Sequence, residues 1–192
     1  MIFPENKTLL LASASPRRKQ LLEDAGFKIK ILPPKKIKEI IPADISANNA
    51  AVYLSELKAH AYSEFLNKNT IIITADTTVL LDNTILGKPA NENEAFSMLT
   101  ELSGKEHKVI TGVTIQSKNK KISFADITSV KFKKLSEEEI KYYIKNYKPY
   151  DKAGSYGIQE WIGYIGITGI KGSYFNVMGL PVQKVYEHLK KF

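Results

Sequence analysis

The sequence predicts a mixed α/β fold, and three observations carry that prediction. Short apolar strand-like runs alternate with amphipathic helix patterns, β-branched residues crowd several of those runs, and capping signals mark where the helices begin. At 192 residues, 43% hydrophobic and 25% charged, the chain has the composition of one ordinary globular domain, or of two small lobes around a shared cleft. The absence of cysteine removes disulfides, thiolate metal sites and cysteine nucleophiles, and points to a reducing compartment. Apolar runs such as Leu9 to Ala12 and Ile71 to Ile73 fall far short of the ~20 residues of a membrane span. Arg17, Arg18 and Lys19 follow the first apolar run, whereas a secretory signal carries its charges in front. A soluble cytoplasmic protein with no membrane partner is the expectation.

Along the chain, Lys7 to Ser13 reads as a short buried strand entering a helix, with Ser15 as N-cap, Pro16 as the first helical residue and Gly26 near the end. Phe27 to Leu32 alternates as a strand, and the proline- and lysine-rich segment from Pro33 to Pro42 reads as a loop. The spacing of Ala47, Ala50, Ala51, Leu54, Leu57, Ala61 and Phe65 predicts a helix from about Ser46 to Leu66. Lys58 stands beside that apolar face, where a solvated lysine is the plainer reading. Thr70 to Thr74 is a β-branched run ending in Ala75-Asp76-Thr77-Thr78, and Val79 to Leu81, Asp82-Asn83 and Thr84 to Leu86 have the pattern of a two-residue hairpin. Asp76 is thus expected at a strand end, the place where open α/β sheets gather their chemistry.

Asn91 with Glu94, and Ser136 with Glu139, read as capping boxes for two further helices, with strands Lys108 to Gln116 and Lys121 to Phe132 between them. Seven of the 11 glycines fall between Gly154 and Gly179. That density suits close backbone approach to a ligand and suits equally a twisted, bulged sheet with no ligand. Pro181 opens a C-terminal amphipathic helix through Val182, Val185 and Leu189.

The charge is uneven in kind. The formal net charge is +8, yet every basic residue except the adjacent Arg17 and Arg18 is lysine. A guanidinium presents a rigid fork that fits phosphate or carboxylate bidentately, and this pair falls in a first helical turn, where backbone N–H groups and the helix dipole favour an anion. His60, His107 and His188 share no ligand spacing, so a metal would be held by Asp or Glu oxygens, favouring Mg²⁺ or Mn²⁺ over zinc. No Walker A sequence exists, because Pro89 follows Gly87-Lys88 and Glu106 follows Gly104-Lys105. Cations, helix N–H groups and a carboxylate suit a polyanionic phosphate ester whose charge is neutralised while a water is activated.

Five colinear motifs then carry a resemblance. Leu10-Leu11-Ala12-Ser13-Ala14-Ser15-Pro16-Arg17-Arg18, Ala75-Asp76-Thr77, Leu86-Gly87-Lys88-Pro89, Lys152-Ala153-Gly154-Ser155-Tyr156-Gly157-Ile158-Gln159 and Gly172-Ser173-Tyr174 together resemble the Maf family of nucleoside triphosphate pyrophosphatases. The resemblance covers nearly the whole chain and implies one domain over residues 1–192. It implies an elongated mixed sheet flanked by helices, with two lobes around a central cleft, similar to the inosine triphosphate pyrophosphatase fold. It also implies hydrolysis of a nucleoside triphosphate between the α and β phosphates, aided by a divalent cation.

Under that resemblance Asp76 is the proton acceptor, and Ser13, Arg17, Arg18, Lys58 and Lys88 form the phosphate site. Arg17, Thr77 and Gln159 match the marks of the subgroup acting on dTTP and UTP, which is physically sensible because an amide both donates to and accepts from a uracil or thymine edge. Asp76 either accepts the proton of the water or holds the metal that activates it, Glu39 is a metal-site or cleft carboxylate, and a homodimer is an assembly the resemblance allows. Two departures stand out: Lys38-Glu39 where the family usually has Asp-Glu, and Glu160 where glycine normally follows the glutamine.

A basic nucleic-acid-binding protein is a reading from another class, prompted by a pI of about 9.4. It is disfavoured because the basic residues are spread over the chain and no basic stretch interleaves aromatics as a stacking platform does. A division-regulating interaction protein, prompted by the family's name, also stays open.

Overall fold

The computed structural model describes residues 7–192. The strands are β1 (Thr8–Leu11), β2 (Ile29–Ile31), β3 (Thr70–Leu81), β4 (Thr84–Leu86), β5 (Glu106–Gln116), β6 (Lys121–Phe132) and β7 (Ile167–Lys171). The α-helices are α1 (Pro16–Asp24), α2 (Ala50–Ala61), α3 (Glu92–Leu102), α4 (Glu137–Tyr147), α5 (Trp161–Gly166), α6 (Tyr174–Met178) and α7 (Val182–Leu189). Hydrogen bonding orders the strands β2-β1-β3-β5-β6-β7, with β4 added to β3. The mixed α/β class read from the sequence is the one observed.

The chain divides into two compact units, one of residues 7–76, 111–126 and 179–192, the other of residues 77–110 and 127–178. In the first, β1 runs parallel to both neighbours, with Leu9 to Leu11 opposite Ile29 to Ile31 of β2 and Thr8 to Leu11 opposite Thr70 to Ile73 of β3. Parallel strands covered on both faces read as unbroken apolar runs, and Leu9, Leu10, Leu11, Ile71, Ile72 and Ile73 are all buried. Leu10, Ala12, Leu32, Tyr62 and Ile72 close one core cluster of this unit. In the second unit, β4 returns antiparallel on β3, and Val79, Leu99, Val130, Phe132, Tyr143, Tyr156 and Ile162 lie in one core.

Three expectations are corrected. β3 is unbroken from Thr70 to Leu81, so Asp76 lies in mid-strand and not at a strand end. Thr77, Thr78 and Val79 are β-branched and simply extend the run, which a shift from apolar to polar had suggested was over. The helix expected over 46–66 is α2 alone: it starts after Asn49, whose side chain makes no capping bond, and Tyr62 ends it with a tightened turn, leaving Ser63–Phe65 as a separate 3₁₀ turn. The glycine-rich stretch is a sheet only at β7, which pairs antiparallel with β6 across a bulge at Lys131 and Phe132, and is otherwise short helices. Other signals hold. Ser136 and Glu139 make the reciprocal capping box, whereas Glu94 donates its N–H to Asn91 but turns its carboxylate to the Ala90 N–H.

Burial also sets a pH dependence in the second unit. His107 is buried, with Nε2 2.7 Å from the Tyr156 hydroxyl and its ring edge-on to Phe132 and Tyr156. Desolvation pushes its pKa down from 6.5 to about 4. The unfolded chain therefore takes up a proton that the folded chain refuses, so stability is complete above the unfolded value and falls as pH drops toward the folded one. Thermal melts at pH 7 and pH 5 should differ by about 2 kcal/mol through this residue. In His107→Gln most of that difference should disappear, and an unchanged pH dependence would contradict the assignment.

Candidate active site

The site starts with how α2 docks on the sheet. Gly112 of β5 has no room for a side chain, since a Cβ there would lie 2.2 Å from the carbonyl carbon of Ala51 and 2.3 Å from the backbone nitrogen of Val52. The helix backbone thus rests on the strand backbone. Buried hydroxyls then fix the rotation of α2. Thr74 Oγ1 donates to the Ser55 carbonyl at 2.7 Å, Ser55 Oγ lies 2.8 Å from Thr114 Oγ1, and Thr114 Oγ1 lies 3.1 Å from Ser123 Oγ.

Side chains three apart share a helix face and side chains two apart share a sheet face. Fixing Ser55 over Thr74 therefore sets Lys58 over Asp76. Lys58 Nζ lies 2.5 Å from Asp76 Oδ1, with both side chains largely shielded at 16% and 14% exposure. Lys58 is a partner in a shielded ion pair, not the solvated lysine that periodicity alone favoured. Its ammonium also lies 3.2 Å from Glu39 Oε1, whose side chain is 44% exposed. Glu39 follows a loop anchored by Tyr62, whose hydroxyl donates to the Pro33 carbonyl at 2.9 Å and accepts the Lys35 N–H at 3.0 Å. Among the described residues no hydrogen bond engages Asp76 Oδ2.

Helix α1 supplies the arginines. Ser15 is its N-cap and Pro16 its first residue, but the Ser15 hydroxyl makes no capping bond. The neighbouring Ser13 hydroxyl does the local work, accepting the Ser15 N–H at 3.2 Å and Arg18 Nη1 at 3.3 Å. Arg18 also donates from Nη1 to the Ala75 carbonyl at 2.8 Å and from Nε to the Gly179 carbonyl at 2.8 Å. Its fork is spent largely on the protein, where it ties the residue before Asp76 to α1 and to the segment leading into α7. Burial lowers the Arg18 pKa, opposed chiefly by the Asp76 carboxylate. Arg17 stands half-buried beside it in the same first turn.

The first unit thus brings Ser13, Arg18, Lys58, Asp76 and Glu39 together, with Arg17 adjacent to Arg18. Thr77, Lys88 and Gln159 belong to the second unit. There Lys88 is exposed and Gln159 half-buried, and the Gly154 N–H donates to the Gly87 carbonyl at 3.0 Å, joining the loop that carries Lys88 to the segment that carries Gln159. Gly154 adopts φ +66° and packs against Val79, where a Cβ would be 2.9 Å from a methyl group.

As a metal seat the site offers two carboxylates, Asp76 and Glu39, and no cluster of three or more His, Asp or Glu exists among the described residues. Two carboxylates do fit a hard cation such as Mg²⁺, which is commonly held by one or two carboxylates and completed by substrate phosphates. Sequence reasoning missed Ser55, Thr74, Thr114 and Gly112. The one available signal was a glycine inside a β-branched strand, which marks close backbone approach.

Comparison with known proteins shows the family of the chain. A dTTP/UTP pyrophosphatase of Phocaeicola vulgatus is 52% identical over 187 residues, covering 97% of both chains. One of Flavobacterium psychrophilum is 51% identical over 96% of this chain and 94% of its own. A solved nucleoside-triphosphatase / dITP/XTP pyrophosphatase of Mycobacterium abscessus superposes with a TM-score of 0.43 at 11% identity, over 96% of this chain and 95% of that one, a likeness too slight to build on. The match to the Maf-like protein family runs from residue 8 to residue 192, spanning β1 through α7, and on that extent the chain belongs to the Maf family.

Proposed function

We propose that this protein is a pyrophosphatase that hydrolyses dTTP and UTP between the α and β phosphates, yielding the monophosphate and pyrophosphate. The observation that carries the reading is the shielded Lys58–Asp76 pair held beside the two-arginine helix start, and relatives about half-identical over nearly the full chain bear the name dTTP/UTP pyrophosphatase.

In this reaction a water oxygen bonds to one phosphorus of the α–β anhydride, the bridging P–O bond breaks, and the proton of the water passes to Asp76. Lys58 on Oδ1 fixes the carboxylate so that Oδ2 faces the water, a positioned base being worth about 10²- to 10⁴-fold in rate. Arg17 presents its fork to the phosphates, while Arg18 and Ser13 hold the turn and the Ala75–Asp76 backbone in register. Lys88 would bind phosphate, the role the family resemblance gives it. Mg²⁺ or Mn²⁺, held by Asp76 and Glu39, would neutralise triphosphate charge. Thr77 and Gln159 select the base, with the Gln159 amide pairing with the donor and acceptor of a uracil or thymine edge.

The test is a pyrophosphate-release assay over the common triphosphates. kcat/KM should be highest for UTP and dTTP, and a preference for a purine triphosphate would overturn the substrate assignment.

A further inference from the structure

Glu160, the residue that departs from the family's usual glycine, is not idle. Its N–H donates to the Gly157 carbonyl at 3.0 Å, closing a four-residue turn with Ile158 and Gln159 at its centre. Its carboxylate folds back over Gly157, where a Cβ would meet the carboxyl carbon at 2.8 Å. Tyr143 of α4 ties both ends of the same turn: its hydroxyl donates to Glu160 Oε2 and accepts the Gly157 N–H at 3.0 Å. Lys152 Nζ holds the other carboxylate oxygen at 3.0 Å, with a side chain only 9% exposed against 19% for Glu160. A buried ion pair bonded to a buried hydroxyl is a costly arrangement and a geometrically exacting one. What it surrounds is the turn that presents Gln159, whose amide is engaged by no hydrogen bond among the described residues.

We infer that Tyr143, Glu160 and Lys152 form a clamp that positions Gln159 for base selection, so that pyrimidine preference depends on residues that never touch the base. The inference rests on the reading of Gln159 proposed above. These are positioning residues. Ile158 is buried and anchors one side of the turn, and the Gly163 N–H donates to the Glu160 carbonyl at 2.8 Å, carrying the constraint into α5. Glycine at position 160 could keep the backbone turn but could not reach Tyr143 or Lys152.

The experiment measures pyrophosphate release from UTP and GTP on the full-length protein, expressed as the ratio of the two kcat/KM values. The ratio comes from a single preparation, so any unfolded fraction cancels. Tyr143→Phe and Glu160→Gln should each lower the UTP/GTP ratio about tenfold, through a raised KM for UTP with kcat changed little, and neither should add to the effect of Gln159→Ala. Gly157→Ala, which displaces the Glu160 carboxylate without altering a polar group, should do the same and serves if Glu160→Gln fails to fold. Fluorescence of Trp161, the only tryptophan and the residue after Glu160, reports folding of this turn in each variant. A wild-type ratio in Tyr143→Phe and Glu160→Gln alongside a lowered ratio in Gln159→Ala would overturn the clamp and leave the base-reading role of Gln159 standing. A ratio unmoved by Gln159→Ala would overturn that role and the clamp with it.

Discussion

Asp76→Asn should lose about 10²- to 10⁴-fold in kcat for UTP, because the amide keeps the shape of the side chain but cannot accept the proton of the attacking water. Folding should survive. Lys58 still finds an oxygen acceptor on the asparagine and retains Glu39 at 3.2 Å, so the cost in stability is that of a weakened shielded pair, roughly 1–3 kcal/mol. The two measurements separate the roles. A steady-state assay with a melting curve on the same sample should show near-total loss of turnover with a folded protein. Turnover within tenfold of wild type would remove Asp76 from the chemistry and leave it a partner that orients Lys58.

Gly112→Ala should have the largest effect on the fold. The added methyl meets backbone and not a movable side-chain end, so α2 must lift from β5. Overpacking into a close-packed interior costs 1–3 kcal/mol where side chains yield, and a rigid helix backbone puts this change at about 3 kcal/mol or more. For a chain of this size that is a fall of about 6–12 °C in melting temperature. Activity should fall as well, because lifting α2 breaks the Ser55–Thr74 bond and carries Lys58 away from Asp76. A melting temperature within a degree of wild type would show that α2 is not seated through this contact.

Much of this architecture is legible in the sequence because it is written in local rules. The parallel strands appear as apolar runs, the β3–β4 hairpin as Asp82-Asn83 with Asp82 at φ 54°, and α4 as a capping box. Strand β6 matches its expected bounds of Lys121 to Phe132. What failed was decided by tertiary context. Asp76 looked like a strand end because polarity rises there, yet the ladder continues through it. The glycine-rich segment has no periodicity of its own, since its turns are held by contacts from outside it, from Tyr143 of α4 to Gly157 and Glu160 and from Val79 and Gly87 to Gly154.

The site follows the same division. Motif residues could be proposed from their resemblance to a family, whereas the hydroxyl chain from Thr74 to Ser123 is made of residues common in any strand. Adjacent arginines drew notice as an anion site, whereas the structure shows the Arg18 fork bonded to the protein, on Ala75, Ser13 and Gly179. Dispersed lysines proved uninformative, many being locally paired, as Lys121 with Glu56 and Lys184 with Asp126.

The central claim is cleavage of a pyrimidine triphosphate at the α–β anhydride, and identifying the products tests it most directly. ³¹P NMR of UTP incubated with the wild-type protein and Mg²⁺ should show UMP and pyrophosphate accumulating in equal amounts, with Asp76→Asn silent over the same period. Appearance of UDP and inorganic phosphate, or no turnover of UTP while a purine triphosphate is consumed, would contradict it.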